Sequence, residues 1–362
     1  MQTSDIMRHM SGQVEEMAPG PAPGPTSLPK GVIGIQNMGN TCYLNSAIQA
    51  LRAYPEMTVL CTQRILEKEC ADQTTNPYKI LNAFSDLVQS LTSGQGGFVR
   101  PAGFFESMSS VVTGTIYEEF VRRSPQDAHE YVVWLLDQLY MASARSVEVT
   151  TEKVVGDAMK AWKAAFEKSW SPLTSLFFGL LRVHYRCSAC ETVHARYETF
   201  NTLKIQLHDG LDWSECIERE ILGEEVIDGY ACETCEKAGR GRAPALKTTR
   251  LWKLPKLLIL TVKRYGNYGE RVNLPVEHDN SELKFTELFA EESAHYSKQK
   301  WYNTVAIVDH LGRGLGGGHY VCQARSAPWK KWYLYDDETV HEISAPSYGR
   351  HTFMVFMRAT ED

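Results

Sequence analysis

Near residue 180 the period of the apolar pattern changes, and this change limits what the 362-residue chain can fold into more than any other feature. Before it, apolar residues recur at helical spacing. From Thr41 onward Leu44, Ala47, Ile48 and Leu51 fall at i, i+3, i+4 and i+7, a run that Pro55 is expected to stop. A second helix is expected to open at Ser124, with Pro125 at its first position and Asp127 three residues on from the cap. Ala128, Tyr131, Val132, Leu135, Leu136 and Leu139 make its buried stripe, which leaves Gln126, Asp127 and Glu130 facing elsewhere. After the change, segments 181–186, 196–207, 248–254, 257–265, 301–309, 319–325, 331–335 and 352–358 are rich in β-branched and aromatic residues and read as strands. Helices first and strands later place the chain in the α+β class, built on an antiparallel sheet rather than a doubly wound parallel one.

About the first 30 residues stand apart from this core. They include MAPGPAPGPTSLPK, where alternating Pro and Gly oppose both helix and central strand, so the segment is expected to be a flexible lead-in. The opening MQTSDIMRHM lacks the apolar run of a secretory signal, and the longest apolar stretches, 173–181 and 257–262, are too short to span a bilayer. No membrane association is therefore expected, and an intracellular site, cytoplasmic or nuclear, is. In that compartment the nine cysteines are expected to be reduced, which favours metal binding or catalysis over disulfides. A net charge of −6 speaks against a nucleic-acid partner and is compatible with a cationic protein or peptide.

Cys42 sits in the first turn of the first expected helix, where the positive end of the backbone dipole favours thiolate over thiol. A cysteine there either packs, as most free cysteines do, or attacks. Attack needs a base, and His319 is the histidine with a distinctive context: it follows Gly316, Gly317 and Gly318 and begins the strand HYVCQAR. His129 and His310 read as structural. A histidine base needs an acceptor on its other ring nitrogen, and Asp336, ending the next strand, is the candidate; the string Asp336-Asp337-Glu338 is otherwise a polar turn. Asn37, on the loop into the Cys42 helix, offers a side-chain amide to a developing oxyanion.

Two C-x-x-C pairs, Cys187 with Cys190 and Cys232 with Cys235, form a second constellation. Together they favour one tetrahedral structural zinc over a redox dithiol, with strands and a helix filling the long gap between the pairs. The basic stretch EKAGRGRAPALKTTR reads as a solvated loop at the tip, since it offers no interleaved aromatics for stacking on bases. Cys61, Cys70, Cys216 and Cys322 read as packing residues.

Taken together, GIQNMGNTCYLNSAIQAL, SPQDAHEYVVWLLDQL, LFFGLLRVHYRCSAC and YNTVAIVDHLGRGLGGGHYVCQAR followed by KWYLYDDETV resemble the boxes of the ubiquitin-specific proteases, cysteine peptidases of the papain-like class, from Gly31 to Arg358. The resemblance implies a catalytic domain over 31–360, with a helical thumb at about 31–170, zinc-binding β fingers at about 180–255, and an antiparallel β palm from about 195–210 and 256–360. It implies Cys42 as nucleophile, His319 as base, Asp336 as orienter with Asp337 sharing or supporting that role, and Asn37 as oxyanion donor. It also implies contacts of Gln126, Asp127 and Glu130 with the arginine-bearing tail of ubiquitin. The implied activity is hydrolysis of the bond after ubiquitin's C-terminal glycine; a catalytically silent ubiquitin-binding scaffold and a zinc-dependent nucleic-acid binder are the alternatives. An activating partner protein is left open. The acidic and aromatic segment 281–302 is expected to join palm strands and to cover the cleft.

Overall fold

The computed structural model describes residues 28–147, 156–266, 270–278, 282–285, 288–293, 301–314, 317–327 and 330–360. The expected flexible lead-in therefore lies almost wholly outside the described residues. Helices dominate the first half: α1 (Cys42–Arg52), α2 (Pro55–Thr62), α3 (Ile65–Glu69), α4 (Asn76–Ser93), α5 (Ala102–Val112), α6 (Ala128–Ser143), α7 (Asp157–Phe166) and α8 (Pro172–Phe177). Among them β1 (Gly34–Ile35) and β2 (Phe98–Val99) form a short parallel pair. The second half holds β3 (Gly179–Cys187), β4 (Val193–Phe200), β5 (Leu203–Ile205), α9 (Trp213–Leu222), β6 (Glu224–Tyr230), α10 (Glu233–Lys237) and β7 (Ala243–Lys253). It continues with β8 (Leu257–Val262), β9 (Glu282–Lys284), β10 (Trp301–Gly314), β11 (Gly317–Arg325), β12 (Trp332–Asp336), β13 (Thr339–Ile343) and β14 (Thr352–Ala359).

The change of period near residue 180 thus marks a real boundary between helices and strands. Two local readings need correction. Pro55 does not merely end the first run; it opens α2 at a position where its missing N–H costs nothing. The second helix is capped by Asp127 rather than Ser124: Asp127 Oδ1 accepts from His129 N at 2.7 Å and Glu130 N at 3.1 Å, while the Ser124 hydroxyl accepts from Gln126 Nε2. The expected stripe of α6 is buried, as its spacing requires.

The larger sheet runs β13-β12-β11-β10-β14-β8-β5, with β9 added on β10. It is antiparallel except for the parallel pairing of β5 with β8, so the sheet is mixed at one edge. The strand expected over 196–207 is two strands: β4 belongs to a second, four-stranded sheet, β4-β3-β7-β6, and β5 to the larger one, so the chain crosses between the sheets between Phe200 and Leu203. Much of the basic stretch read as a loop lies on β7, where Lys247 pairs with Glu225 at 3.1 Å.

Alternation along β14 shows how one sheet serves two cores. Met354 and Phe356 face the helices together with Leu44, Ile48, Tyr54, Phe84 and Tyr131, whereas Val355 and Met357 face the other way with Trp213, Phe285, Phe289 and Tyr302. Helix α1 lies in the first core, buried from Cys42 to Leu51, and its buried amides donate inside it: Gln49 Nε2 to Ile33 O at 2.9 Å and Asn45 Nδ2 to Asp337 Oδ1 at 2.7 Å, while Asn45 Oδ1 has no partner among the described residues. The described part of segment 281–302 packs into the second core through Leu283, Phe285, Leu288 and Phe289, with β9 paired to β10. These described residues pack into the core against β10 rather than cover the cleft.

One glycine marks where the two halves touch. A Cβ on Gly34 would lie 2.4 Å from Glu338 O and 2.6 Å from Asp337 O, so β1 approaches the β12–β13 turn more closely than any other residue allows. Replacing it forces the turn away. Gly34→Ala is expected to cost about 1–3 kcal/mol in urea unfolding, the usual range for an overpacked contact; an unchanged midpoint would show that the approach is not required.

Candidate active site

The loop from Asn37 to Thr41 aims the start of α1. Asn37 Oδ1 accepts from Gly39 N at 2.8 Å, Thr41 N at 3.2 Å and Thr41 Oγ1 at 3.3 Å, and Met38 N donates to Thr41 Oγ1 at 2.9 Å. Gly39 and Asn40 take φ of 106° and 53°, the left-handed conformations that this tight turn demands. Thr41 is the cap residue, yet its side chain gives no hydrogen bond to the helix, so the first-turn amides keep their donors. Cys42 begins the helix at that point and is 8% exposed.

His319 enters from the palm. Strands β11 and β12 pair antiparallel with Cys322 opposite Tyr335, and this register carries Asp336 to the imidazole: Asp336 Oδ1 lies 2.6 Å from His319 Nε2. The other ring nitrogen remains for Cys42. Burial pulls the His319 pKa down, but the hydrogen bond to Asp336 and the nearby Cys42 sulfur outweigh it and lift the value to about 10. The glycine before it is required by packing, since a Cβ on Gly318 would sit 2.3 Å from His310 Nε2.

Asp337 does something different from the expected sharing of the orienter's role. Its Oδ2 accepts from Asn37 Nδ2 at 2.8 Å and its Oδ1 from Asn45 Nδ2 at 2.7 Å, so it bonds to the helical half and leaves His319 to Asp336. Burial pushes the Asp337 carboxyl up, and the two amides partly offset this. Its main-chain oxygen accepts from Ile35 N at 2.8 Å, and Glu338 Oε1 accepts from Asn37 N at 2.8 Å. Asn45 and Glu338 were not singled out in the sequence. Asn45 is legible in retrospect as a polar residue one turn beyond Cys42, whereas Glu338 is hidden in an ordinary acidic turn.

Beside Cys42 opens a cleft of about 680 Å³ in continuity with solvent. Gln126, Asp127 and Glu130 line its helical wall, and Tyr265, His310 and Tyr320 line the sheet wall. Asp127 spends one carboxylate oxygen on the helix cap. His310, read as structural, is part of this wall: Tyr265 Oη lies 2.9 Å from its Nδ1, and burial with the nearby positive charge of Arg271 lowers its pKa to about 4. It is neutral in the cleft at pH 7. His129 is structural, buried with Nδ1 2.9 Å from Thr261 Oγ1.

The four motif cysteines converge at the far end of the four-stranded sheet. Their sulfurs lie within 4.8 Å of one another, with Cys187 and Cys235 3.7 Å apart and Cys190 and Cys232 3.6 Å apart. A zinc tetrahedron with arms of about 2.3 Å has edges of about 3.8 Å, so the cluster fits the ion, and these separations are far too long for disulfides. His194 Nε2, 3.4 Å from Cys232 Sγ, is placed to donate to a metal-bound thiolate. All nine cysteines are free; Cys61, Cys216 and Cys322 are buried, and burial lifts the Cys61 thiol to about 12.

A family described as Ubiquitin carboxyl-terminal hydrolase matches residues 33–357. The chain belongs to the ubiquitin carboxyl-terminal hydrolase family. Ubiquitin carboxyl-terminal hydrolase 2 of Rattus norvegicus is 26% identical over 352 residues, covering 92% of this chain and 55% of the relative. Ubiquitin carboxyl-terminal hydrolase 12 of Salmo salar is also 26% identical, covering 86% of this chain and 82% of its own length. The chain spans about half the length of the first of these relatives. Among solved structures, the SAGA DUB module Ubp8/Sgf11/Sus1/Sgf73 bound to monoubiquitin shares the fold with a TM-score of 0.71 at 18% identity, covering 93% of this chain and 72% of that one. The same module bound to ubiquitin aldehyde superposes at 0.68 with 19% identity, over 92% of this chain and 70% of that one. No described helix of this family member is long and apolar enough to cross a membrane.

The His319–Asp336 bond has a measurable signature. A histidine lifted from its ordinary 6.5 to about 10 contributes stability that is complete below pH 6.5 and is lost as the pH rises through 10. NMR titration of the imidazole is expected to show it protonated well above neutrality, and Asp336→Ala to bring the midpoint down. A wild-type midpoint near 6.5 would contradict the geometry.

Proposed function

We propose that the chain is a deubiquitinating thiol protease that hydrolyses the isopeptide or peptide bond after the C-terminal glycine of ubiquitin. The observation that carries this reading is the meeting of Cys42, at the start of α1, with the His319–Asp336 pair beside an acid-lined cleft. In this reading the helical part serves as thumb, the larger sheet as palm and the four-stranded sheet as fingers. Its site of action is inside the cell, where nine free thiols are stable.

The ubiquitin tail lies in the cleft with its arginines toward Asp127 and Glu130, whose carboxylates match guanidinium groups in charge and geometry. Its terminal glycines lack side chains, so a narrow passage past Cys42 selects them by steric rejection of anything larger. The Cys42 sulfur then attacks the terminal glycine carbonyl with its proton held by His319. The oxyanion formed is met by the first-turn amide at Cys42 and by the second Nδ2 hydrogen of Asn37, the first being committed to Asp337. Collapse of this adduct expels the substrate amine, which leaves with a proton from the imidazolium. In the second half His319 takes a proton from water, hydroxide adds to the thioester carbonyl, and the adduct collapses with breakage of the acyl C–S bond, freeing ubiquitin as its carboxylate and the Cys42 thiolate paired with the His319 imidazolium. Asp336 stays ionised throughout and holds the ring in one orientation.

One structural zinc per chain belongs to the same reading, held by Cys187, Cys190, Cys232 and Cys235. Its role is to tie the turn after β3 to helix α10, where the buried cluster consists of little besides the cysteines themselves.

Incubation with ubiquitin carrying a C-terminal electrophile is expected to give a single covalent adduct on Cys42, absent in Cys42→Ser. No adduct on correctly folded protein would refute the activity. Elemental analysis is expected to give one zinc per chain, with chelation lowering the melting temperature; a metal-free preparation of unchanged stability would remove the zinc and leave the catalytic reading standing.

A further inference from the structure

Asn37 is held from two sides, and the two sides are not equivalent. The three donors to its Oδ1 come from Gly39 and Thr41, within four residues of it, so they move with the helical half and fix the amide only relative to α1. Two bonds tie Asn37 itself to the palm: Nδ2 to Asp337 Oδ2 and main-chain N to Glu338 Oε1, both 2.8 Å. The neighbouring link from Ile35 N to Asp337 O holds β1, two residues earlier. A single anchor leaves a group free to pivot about it, whereas two anchors set an orientation. The Asp337 carboxylate cannot follow the loop if it drifts, because its other oxygen is bound to Asn45 at 2.7 Å.

We propose that Glu338 is a positioning residue, whose carboxylate clamps the Asn37 main chain from the palm side so that the free Nδ2 hydrogen points at the developing oxyanion. This inference rests on the acyl-transfer reading of the site and deepens it. The energetics separate it from a purely structural role. Asn37 and Glu338 are both partly exposed, so water can replace a lost bond to the Asn37 amide at little cost in stability. Catalysis is less forgiving, since a displacement of about 1 Å in a catalytic group can cost about 100-fold in rate. Glutamine at this position keeps a carbonyl acceptor of the same reach without the charge, which distinguishes the bond from the field of a third carboxylate beside Asp336 and Asp337.

The experiment measures kcat and KM on ubiquitin bearing a fluorogenic C-terminal amide for the full chain, Glu338→Ala and Glu338→Gln, alongside melting temperature and hydrogen exchange of the Asn37 amide. Glu338→Ala is expected to lower kcat about 10-fold with KM within about twofold, a shift of the size that weakening an oxyanion donor without deleting it should give. Its melting temperature is expected to stay within about 2 °C of the wild type, and its Asn37 amide to exchange faster. Glu338→Gln is expected to recover most of the lost rate and the exchange protection. A wild-type kcat in Glu338→Ala, or a Gln variant as slow as the Ala variant, overturns the proposal while leaving the protease standing. A fall in kcat accompanied by an equal loss of stability overturns it in favour of a structural role, and absence of turnover in the wild-type chain overturns it together with the proposed function.

Discussion

The carboxylate of Asp337 is the contact on which the rest of the site depends. It accepts from Asn37 on the loop before α1 and from Asn45 within α1, while it sits in the turn that immediately follows Asp336. The bonded partners are 300 and 292 residues away in sequence. Both Asp337 carboxylate oxygens hold the start of the Cys42 helix against the turn that follows Asp336. The turn accepts this burden because Asp337 adopts φ 48°, a left-handed conformation that Asp tolerates better than most residues, and because Gly34 leaves room for the turn to approach β1.

Around this contact the chemistry divides by half of the molecule. The helical half carries Cys42, the first-turn amides, Asn37 and one wall of the cleft; the larger sheet and its turns carry His319, Asp336 and the other wall, so the proposed reaction draws on both halves. The apolar core between α1 and the larger sheet provides stiffness, and the buried amides of Asn45 and Gln49 add direction, since their partners at Asp337 Oδ1 and Ile33 O leave only one register satisfied. The His319 ring is held up to about 10 by its two neighbours, which in the proposed reaction keeps a proton for the leaving amine. The cysteine cluster lies at the end of the four-stranded sheet, outside this cleft.

What the sequence disclosed follows from what local pattern encodes. The stripes of α1 and α6 were legible because apolar spacing survives in one dimension, and the cysteine pairs because each C-x-x-C spacing is local. Capping by Asp127 instead of Ser124 was not, because Ser-Pro and Asp both carry start signals and only the path of the preceding turn chooses between them. The strands β6 and β13 escaped notice because β6 is solvated on both faces and β13 is five residues long, so neither alternates. The division of 196–207 between two sheets depends on which neighbour each half pairs with, and pairing is non-local. For the same reason Cys42, His319 and Asp336 could be singled out from local context, whereas the contact of Glu338 with Asn37 required knowing that Asn37 lies across from it.

The most direct test of this account is the rate at which Cys42 reacts with a ubiquitin C-terminal electrophile in Asp337→Ala compared with wild type, with the fold of both checked by circular dichroism. If Asp337 joins the halves as described, the variant stays folded and reacts at least about 10-fold more slowly, because Asn37 and α1 lose their common anchor to the palm. A folded variant that reacts at the wild-type rate would contradict it, and the alignment of sulfur, imidazole and oxyanion donor would then have to come from the apolar core alone.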